Sequence, residues 1–262
     1  MLRLAKDLNG FTLEGRDGEI GKVKEFYFDD RSWTIRYLIA DTSNWLSDQR
    51  VLISPYALGK ILTEEKLIRV DLTKSQIENS PAIDTDKPVS RQYELMYYPY
   101  YGLPFYWGGA SLWGNAAYPH MVEVPLGVAG GVLGVASGHE DNVDPHLRST
   151  KDVDGHSIEA LDGEVGHVDD FVVDDESWTI QYVIVGTRNW WPGKKVLIAT
   201  RSIDRISWEE SKMYLRLKRE TIQNSPKYSE NLLISRDYEA KLHRHYDLEE
   251  YWQEELANTQ TR

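Results

Sequence analysis

Three groups of histidine and carboxylate residues carry side chains of the types that bind divalent metals. The first lies between 139 and 146, where the spacing matches no standard metal site and a solvated hinge is expected. The second, five acids between Asp169 and Glu176, lacks the spacing of a calcium-binding loop and is typical of exposed turns. In the third, His243 and His245 stand two positions apart on an expected helix, which directs their rings to different faces. No metal site is therefore predicted.

Covalent and acid–base catalysis need a reactive group with a matched partner, and the sequence shows no such arrangement. It contains no G-x-S-x-G elbow, Walker loop or H-E-x-x-H motif, and it has no cysteine. The glycines between 127 and 134 are not framed by a strand and a helix, so a dinucleotide-binding loop is not predicted. We therefore expect a protein that is not an enzyme and that holds no cofactor.

Loop tryptophans are the residues best suited to a contact surface. Trp45 follows Asn44, and Trp190 follows Asn189 and precedes Trp191. A tryptophan in a loop either fills the end of a small domain or acts as a contact hot spot, because its large ring buries much apolar area. Both alternatives stay open for Trp45, Trp190 and Trp191, which are the predicted interaction residues.

Composition narrows the classes of function further. The chain of 262 residues has 42 acidic and 30 basic side chains, a formal net charge of −12, and no cysteine. The missing cysteines exclude disulfide frameworks, cysteine-ligated zinc and iron–sulfur clusters. The negative charge argues against direct binding of nucleic acid, which requires a basic footprint.

The sequence also bears on the compartment of the protein. The most apolar stretch, residues 124–137, is interrupted by proline and glycine and is shorter than the roughly 20 residues that cross a bilayer. The first residues contain no apolar core of a secretory signal. These observations predict a soluble, cytoplasmic protein with no transmembrane segment.

Two parts of the chain repeat each other at a constant offset of 145 residues, since residue 17 corresponds to residue 162. Asp-Gly-Glu-Ile-Gly begins at Asp17, and Asp-Gly-Glu-Val-Gly begins at Asp162. Ser-Trp-Thr-Ile-x-Tyr, Asn-Ser-Pro and Arg-x-Tyr-Glu recur downstream in the same register. We interpret this pattern as a tandem duplication of one domain.

The repeat defines the expected domains. Repeat 1 covers residues 1–97, and repeat 2 covers residues 148–262 with a C-terminal helix. Residues 98–147 form a linker rich in Gly, Pro, Tyr and Trp. Because this linker shows neither helical nor strand periodicity, irregular structure is predicted for it.

Each repeat is expected to be mainly β. The segment that follows Asp29 alternates in repeat 1, and its counterpart alternates in repeat 2. The residues placed on one face are Trp33, Ile35, Tyr37 and Ile39 in repeat 1, and Trp178, Ile180, Tyr182 and Ile184 in repeat 2. Five or six short strands in about 70 residues favour a small antiparallel barrel, because closure hides the strand edges.

Helices are expected after the strands. Thr73 is a capping residue and Pro81 stops the helix that it begins. In repeat 2, good helix formers run from Ser235 through Leu256 and predict a C-terminal helix.

Both repeats contain the motif D-G-x-(I/V)-G-x-V, followed by an aromatic strand, a turn with two acids and a strand of the form W-x-I-x-Y-(L/V)-I. This pattern resembles that of the PRC-barrel domain family. This family is named for the cytoplasmic barrel of the H subunit of purple-bacterial photosynthetic reaction centres. The resemblance implies two small antiparallel PRC-type β-barrels with short helical tails, joined by the irregular linker. Its aspartate and glycines serve a turn and a close backbone approach, and none of them is a reactive group.

The resemblance implies a non-catalytic protein-interaction or assembly module. The H-subunit barrel packs on the reaction-centre core, and a related barrel in the ribosome maturation factor family contacts a ribosomal protein. The chain shows neither the transmembrane helix of the one nor the additional amino-terminal domain of the other, so neither specific role is expected.

Two alternatives remain open. One is an RNA-processing or ribosome-assembly factor that acts through a basic ribosomal protein, and the other is a binder of a ligand or metal at a barrel end. The protein partner is not identified by the sequence. Homo-oligomerisation is compatible with two similar domains in one chain.

Overall fold

A computed structural model describes residues 1–46, 51–81, 89–120, 147–187, 194–229 and 234–252. Strands predominate among them, which confirms the predicted mainly β fold class. Closure of the strands into two barrels stays a prediction.

The elements of the first half occur in a fixed order. They are β1 (Leu2–Leu4), α1 (Ala5–Leu8), β2 (Thr12–Gly15), β3 (Gly18–Asp29), β4 (Thr34–Asp41), β5 (Val51–Ile53), β6 (Leu58–Leu62), β7 (Leu67–Val70), α2 (Lys74–Glu78) and α3 (Arg91–Tyr100).

The second half repeats this order. Its elements are β8 (Leu147–Ser149), α4 (Thr150–Val153), β9 (Ser157–Ala160), β10 (Gly163–Asp174), β11 (Thr179–Gly186), β12 (Lys195–Ala199), β13 (Ile203–Ser207), β14 (Lys212–Leu215), α5 (Arg219–Gln223) and α6 (Arg236–His245). The bounds of β3 and β10, and of α3 and α6, differ by the offset of 145 residues that the sequence shows (18 to 163 and 91 to 236).

The chain divides into two compact units that do not coincide with the two repeats. Unit 1 comprises residue 1, residues 3–152 and residues 174–179, and unit 2 comprises residue 2, residues 153–173 and residues 180–262. Unit 1 therefore includes β8 and the β10–β11 turn, which repeat 2 supplies.

Strand β3 organises unit 1. It pairs antiparallel with β2 along its first part and with β4 along its length, and β4 pairs in turn with β5. β2 also pairs in parallel with β7, whose other neighbour is β6. The end of β3 pairs with β8, so that Tyr27 lies opposite Ser149.

Unit 2 uses the same pairings. β10 pairs with β9, β11 pairs with β12, and β14 joins β9 in parallel and β13 antiparallel. Both units therefore bring the second strand of each half of the chain next to the last one.

Strand β4 is buried on both of its faces. Ile35, Tyr37 and Ile39 are 0–1% exposed, as expected, but Thr34, Arg36 and Leu38 on the other face are also only 0–3% exposed. The alternating pattern is misleading because Thr34 and Arg36 are polar residues that are nevertheless buried.

Trp33 does not lie on the predicted strand face. It precedes β4 in a turn with a left-handed φ of 54°, is half-buried and stacks on Phe28 at 5.4 Å between ring centroids. Trp178 occupies the same kind of turn with φ 57° and is buried in unit 1, where its carbonyl accepts a hydrogen bond from Ile35 N. The tight turn after the paired acids needs one left-handed residue, and a tryptophan supplies it in each case.

The predicted helix starts are confirmed. Thr73 and Gln76 form a capping box at the start of α2, which ends before Pro81. Ser235 caps α6 through Tyr238 N. The prediction that this helix runs on without interruption is wrong, because left-handed Asp247 (φ 55°) turns the chain immediately after Tyr246. Leu256, the predicted end of the helix, lies outside the described residues.

Part of the predicted linker is described. Helix α3 runs to Tyr100, beyond the expected boundary at 97, and the next residues form turns and two isolated bridges. Leu103, Tyr106 and Trp113 are nevertheless buried. Residues 121–146 lie outside the described residues.

Candidate functional site

The motif aspartate joins a turn to a helix. The Asp17 carboxylate accepts a hydrogen bond from the backbone N–H of Lys74 at 2.9 Å, so it caps α2 from 57 positions away. Asp162 does the same for Arg219 N of α5 at 2.8 Å. An anionic oxygen at this place also interacts favourably with the helix N-terminus. The aspartate is therefore a structural residue in both repeats.

The second motif glycine allows two strands to approach closely. A Cβ at Gly21 would lie 2.0 Å from the carbonyl oxygen of Asp41, and one at Gly166 would lie 2.1 Å from that of Gly186. Only a residue without a side chain fits there. This confirms the predicted close backbone approach.

Trp45 is anchored on the strand that carries this motif. Its indole N–H donates to the carbonyl of Ile20 at 2.6 Å, and the Lys74 ammonium lies 5.5 Å from the ring centroid. The side chain is half-buried. The indole N–H of Trp45 is thus fixed by a hydrogen bond, while part of its ring stays accessible to solvent. The role of Trp45 in an interaction stays a prediction. Trp190 and Trp191 lie outside the described residues.

Helix α2 links Trp45 to the outer side of α3. Lys74 at its start lies near the Trp45 ring, and the carbonyl of Gln76 accepts a hydrogen bond from the Tyr100 hydroxyl at 2.8 Å. The Trp45 loop, α2 and the end of α3 are thus connected parts of the surface of unit 1.

The outer side of α3 begins with the exposed polar residue Gln92 and is apolar after it. We call the exposed apolar residues Leu95, Met96, Pro99 and Tyr100 the α3 stripe; their spacing places them along one side of the helix. Leu95 is 38%, Met96 53% and Tyr100 40% exposed, and these three account for most of the exposed large hydrophobic side chains among the described residues. Such a patch on an otherwise polar surface indicates a contact region.

The equivalent side of α6 provides an internal comparison. At the offset of 145, the α3 stripe corresponds to Ala240, Lys241, Arg244 and His245. Lys241 and Arg244 are exposed. The same helix position is therefore charged in unit 2 and apolar in unit 1, so the apolar character is not required by the fold.

A buried carboxylate holds α3 in place. Glu94 is 0% exposed and accepts hydrogen bonds from Tyr37 Oη at 2.7 Å and Tyr106 Oη at 3.1 Å. Arg91 of the same helix donates to its other oxygen at 2.8 Å. Burial, together with the nearby Glu94 charge, raises the pKa of Tyr37 and of Tyr106, which keeps both hydroxyls protonated as donors.

Arg36 holds the segment that follows α3. It is 3% exposed, and its Nη1 donates to the carbonyl of Leu112 at 2.6 Å. Its guanidinium lies 3.9 Å from the Tyr106 ring centroid and 4.9 Å from that of Trp113. Cation–π contacts of this kind are strong when they are shielded from water.

Unit 2 contains the same carboxylate arrangement. Glu239 accepts from Tyr182 Oη at 2.9 Å, from Tyr251 Oη at 2.7 Å and from Arg236 at 3.1 Å. Sequence reasoning missed these clusters, although Tyr106-Trp107 and Tyr251-Trp252 stand at the repeat offset and could have revealed them. The repeated pattern thus extends beyond residue 97.

The sequence candidates for metal binding are dispersed. Asp169 pairs with Lys195 at 2.6 Å, Asp175 pairs with Arg3 at 2.5 Å, and His245 contacts the carbonyl of Thr221 at 2.7 Å. Within the described ranges, no group of three or more His, Cys, Asp or Glu residues is arranged to hold a metal ion. The group at 139–146 lies outside the described residues.

The helices of the described part of the chain are all too short or too polar to span a bilayer.

Comparisons with known proteins complete this description. The family model of the PRC-barrel domain matches residues 2–77, which include the Asp17–Gly21 motif, strands β1 to β7 and nearly all of α2. No curated protein matches the chain significantly. The family resemblance seen in the sequence is thus confirmed for this part of the chain: residues 2–77 are a PRC-barrel domain.

Proposed function

We propose that this chain is a non-catalytic protein-interaction or assembly module built from two PRC-barrel repeats, and that it binds a protein partner through the α3 stripe. The observation that carries the proposal is the contrast between the two helices. The outer side of α3 presents Leu95 and Met96, whereas the same positions of α6 carry Ala240 and Lys241. The exposed apolar side of α3 is thus particular to unit 1, and it suits a contact with another protein.

The partner that fits is a protein with an apolar patch and a basic surround. The α3 stripe itself carries no charge, so it is matched by apolar side chains. Burying a side chain such as that of Leu95 or Met96 contributes about 1.5–3 kcal/mol. The net charge of −12 favours a basic partner through long-range attraction.

Site-specific cross-linking tests the proposal. A photoreactive residue replaces Met96 in one variant and Lys241 in the matched control, and adducts formed in cells of the source organism are identified by mass. We expect one dominant protein adduct from position 96 that is absent from position 241.

Affinity measurements with that purified partner complete the test. Met96→Lys, which copies the residue found in unit 2, should weaken binding by about tenfold or more, since a loss of 1.4 kcal/mol is tenfold. Lys241→Met should leave binding unchanged. Equal adducts at both positions, or an affinity that Met96→Lys leaves unchanged, would contradict the proposal.

Two finer roles are compatible with this surface. One resembles that of the reaction-centre H-subunit barrel, which packs on a larger complex. The other is RNA processing or ribosome assembly through a basic ribosomal protein, which the charge of −12 favours over direct RNA contact. Co-sedimentation with ribosomal particles, abolished by Met96→Lys, would identify the second role, and its absence would leave the first.

A further inference from the structure

His243 is a histidine of α6 buried within unit 2. It is 2% exposed, and its ring lies 5.6 Å from Tyr251 and 5.1 Å from Trp252 between centroids. Its Nδ1 lies 2.8 Å from the carbonyl oxygen of Glu249. Because a carbonyl oxygen only accepts, Nδ1 carries a proton, and in the neutral ring Nε2 is a bare acceptor.

The Tyr182 hydroxyl stands between two acceptors. It lies 2.9 Å from His243 Nε2 and 2.9 Å from the Glu239 carboxylate. A hydroxyl has one proton and cannot donate to both groups. A second proton on the His243 ring resolves this competition: Nε2–H then donates to the Tyr182 oxygen, and the Tyr182 hydroxyl donates to Glu239.

The surroundings of His243 shift its pKa in both directions. Burial lowers the pKa of the ring most strongly, and Arg201, next to β12, lowers it further. The hydrogen bond to Glu249 and the charges of Glu239 and Glu250 raise the pKa, and the net shift is downward. Arg236, on the same helix, is paired with Glu239.

Unit 1 lacks this titrating group. The position that corresponds to His243 is Tyr98, which is 0% exposed and packs against Tyr106 and Trp107. Burial raises the pKa of Tyr98, so this side chain stays neutral at physiological pH. The fold therefore accepts a tyrosine at this place, and only unit 2 carries a histidine there.

We propose that His243, Tyr182 and Glu239 form a proton-responsive latch that controls how firmly the Tyr251–Trp252 segment is held against α6. One proton from solvent binds to His243 Nε2, and the Tyr182 hydroxyl proton then points to Glu239. The added charge sits on a ring that is 2% exposed and is covered by Tyr251 and Trp252, so it is cut off from water while the segment is in place. Release of the segment hydrates this charge, and the segment is therefore bound less firmly in the protonated state.

The lowered pKa of His243 sets the direction in which stability changes with pH. The pKa of His243 is lower in the folded protein than in the unfolded chain, where it is about 6.5. Its contribution to stability is thus complete above pH of about 6.5 and is lost as the pH falls through the folded-state pKa. The latch closes near neutral pH and loosens in mildly acidic solution.

Nuclear magnetic resonance titration of the full chain tests the latch. Histidine ring signals and the indole signal of Trp252 are followed while the pH is lowered, with His243→Tyr and His245→Gln used to assign the rings. We expect the Trp252 signal to shift with the midpoint of His243, and this shift to disappear in His243→Tyr. His245→Gln is the control and should leave it unchanged.

The variant Tyr182→Phe distinguishes the effect of the hydrogen bond between Tyr182 and His243 from the effect of burial alone. Removing the hydroxyl takes away the acceptor of the protonated ring, so the His243 midpoint should fall further by about 0.5–1 pH unit. A Trp252 signal that does not follow His243, or an unchanged midpoint in Tyr182→Phe, would overturn the proposal. Both readouts remain decisive if His243→Tyr fails to fold.

Discussion

Glu94 shows how a single buried charge fixes a surface helix. Its carboxylate is satisfied by Tyr37, Tyr106 and Arg91, which lie on a strand, on the segment after α3 and on α3 itself. A buried charge that loses its partners is expensive, and partners that lose a buried charge are left unsatisfied. Glu94 is therefore one of the main residues that fix the position of α3, and with it that of the α3 stripe.

Replacing this carboxylate gives the first prediction. Glu94→Ala should lower the free energy of unfolding by about 3–5 kcal/mol, because it leaves two tyrosine hydroxyls and an arginine without their acceptor. Urea unfolding measures the change. The control is Glu78→Ala on the exposed side of α2, expected within about 0.5 kcal/mol of the parent. Equal effects of the two substitutions would contradict the role of Glu94.

Gly21 gives a second prediction at the same scale. Gly21→Ala places a Cβ 2.0 Å from the Asp41 carbonyl oxygen, so β3 and β4 must separate. We expect a loss of about 3 kcal/mol or more in thermal or urea unfolding.

Gly10 is the matched control for this substitution. It has a left-handed φ of 81° but no atom within 4 Å of the added Cβ. Gly10→Ala should therefore cost only the conformational strain of about 1–2 kcal/mol. If Gly10→Ala costs as much as Gly21→Ala, close strand approach is not what selects the motif glycine.

At the scale of elements, short helices depend on residues from elsewhere in the chain. Helix α2 has five residues, and its N-terminal N–H groups donate hydrogen bonds to the side chains of Thr73 and Asp17. Neither α2 nor α5 is long enough to be stable by itself, since isolated helices below about 12 residues are marginal in water.

Removing the remote cap gives the third prediction. Asp17→Ala should cost about 0.5–2 kcal/mol, as losses of helix caps do, and should speed hydrogen exchange of the Lys74 amide. Asp162→Ala should have the same effect on Arg219 in unit 2. An unchanged exchange rate at Lys74 would show that Thr73 alone caps the helix.

The elements also show how far the sequence predicts this fold. The strands, the capping residue Thr73 and the close approach at Gly21 follow from local patterns. The left-handed Trp33 does not, because tryptophan has no preference for that conformation and only the turn demands it.

The site was harder to predict than the elements. The α3 stripe is invisible in the sequence, because exposure of Met96 depends on which side of α3 the buried Glu94 fixes to the core. The connection between Asp17 and Lys74 spans 57 positions, so no local pattern could have shown it.

At the scale of the whole molecule, the two repeats are not independent pieces. Unit 1 is completed by repeat 2, whose β8 pairs with β3. The carbonyl of Ser177 accepts from the Trp113 indole at 2.9 Å, and that of Trp178 accepts from Ile35 N at 2.8 Å. Cutting the chain between the repeats would leave unit 1 without these contacts.

Co-expression of two fragments tests this dependence. Residues 1–120 with an affinity tag and residues 147–262 without one should co-purify, because β8 and the β10–β11 turn bind within unit 1. Trp113→Phe removes the hydrogen bond to Ser177 and should weaken the association, since a lost buried bond costs about 1–3 kcal/mol. Independent elution of the two fragments would contradict the assignment of these segments to unit 1.

The remote cap of α2 has a consequence for the order of folding. The Asp17 carboxylate reaches the Lys74 amide only after the β2–β3 turn and the β2–β7 pairing have brought them together. We therefore expect the cap of α2 to form late in folding, so that Asp17→Ala accelerates unfolding while the folding rate stays nearly constant in stopped-flow measurements. In this view, the hydrogen bond from the Lys74 amide to the motif aspartate stabilises the native state after the transition state has been passed, and it slows unfolding of the native chain.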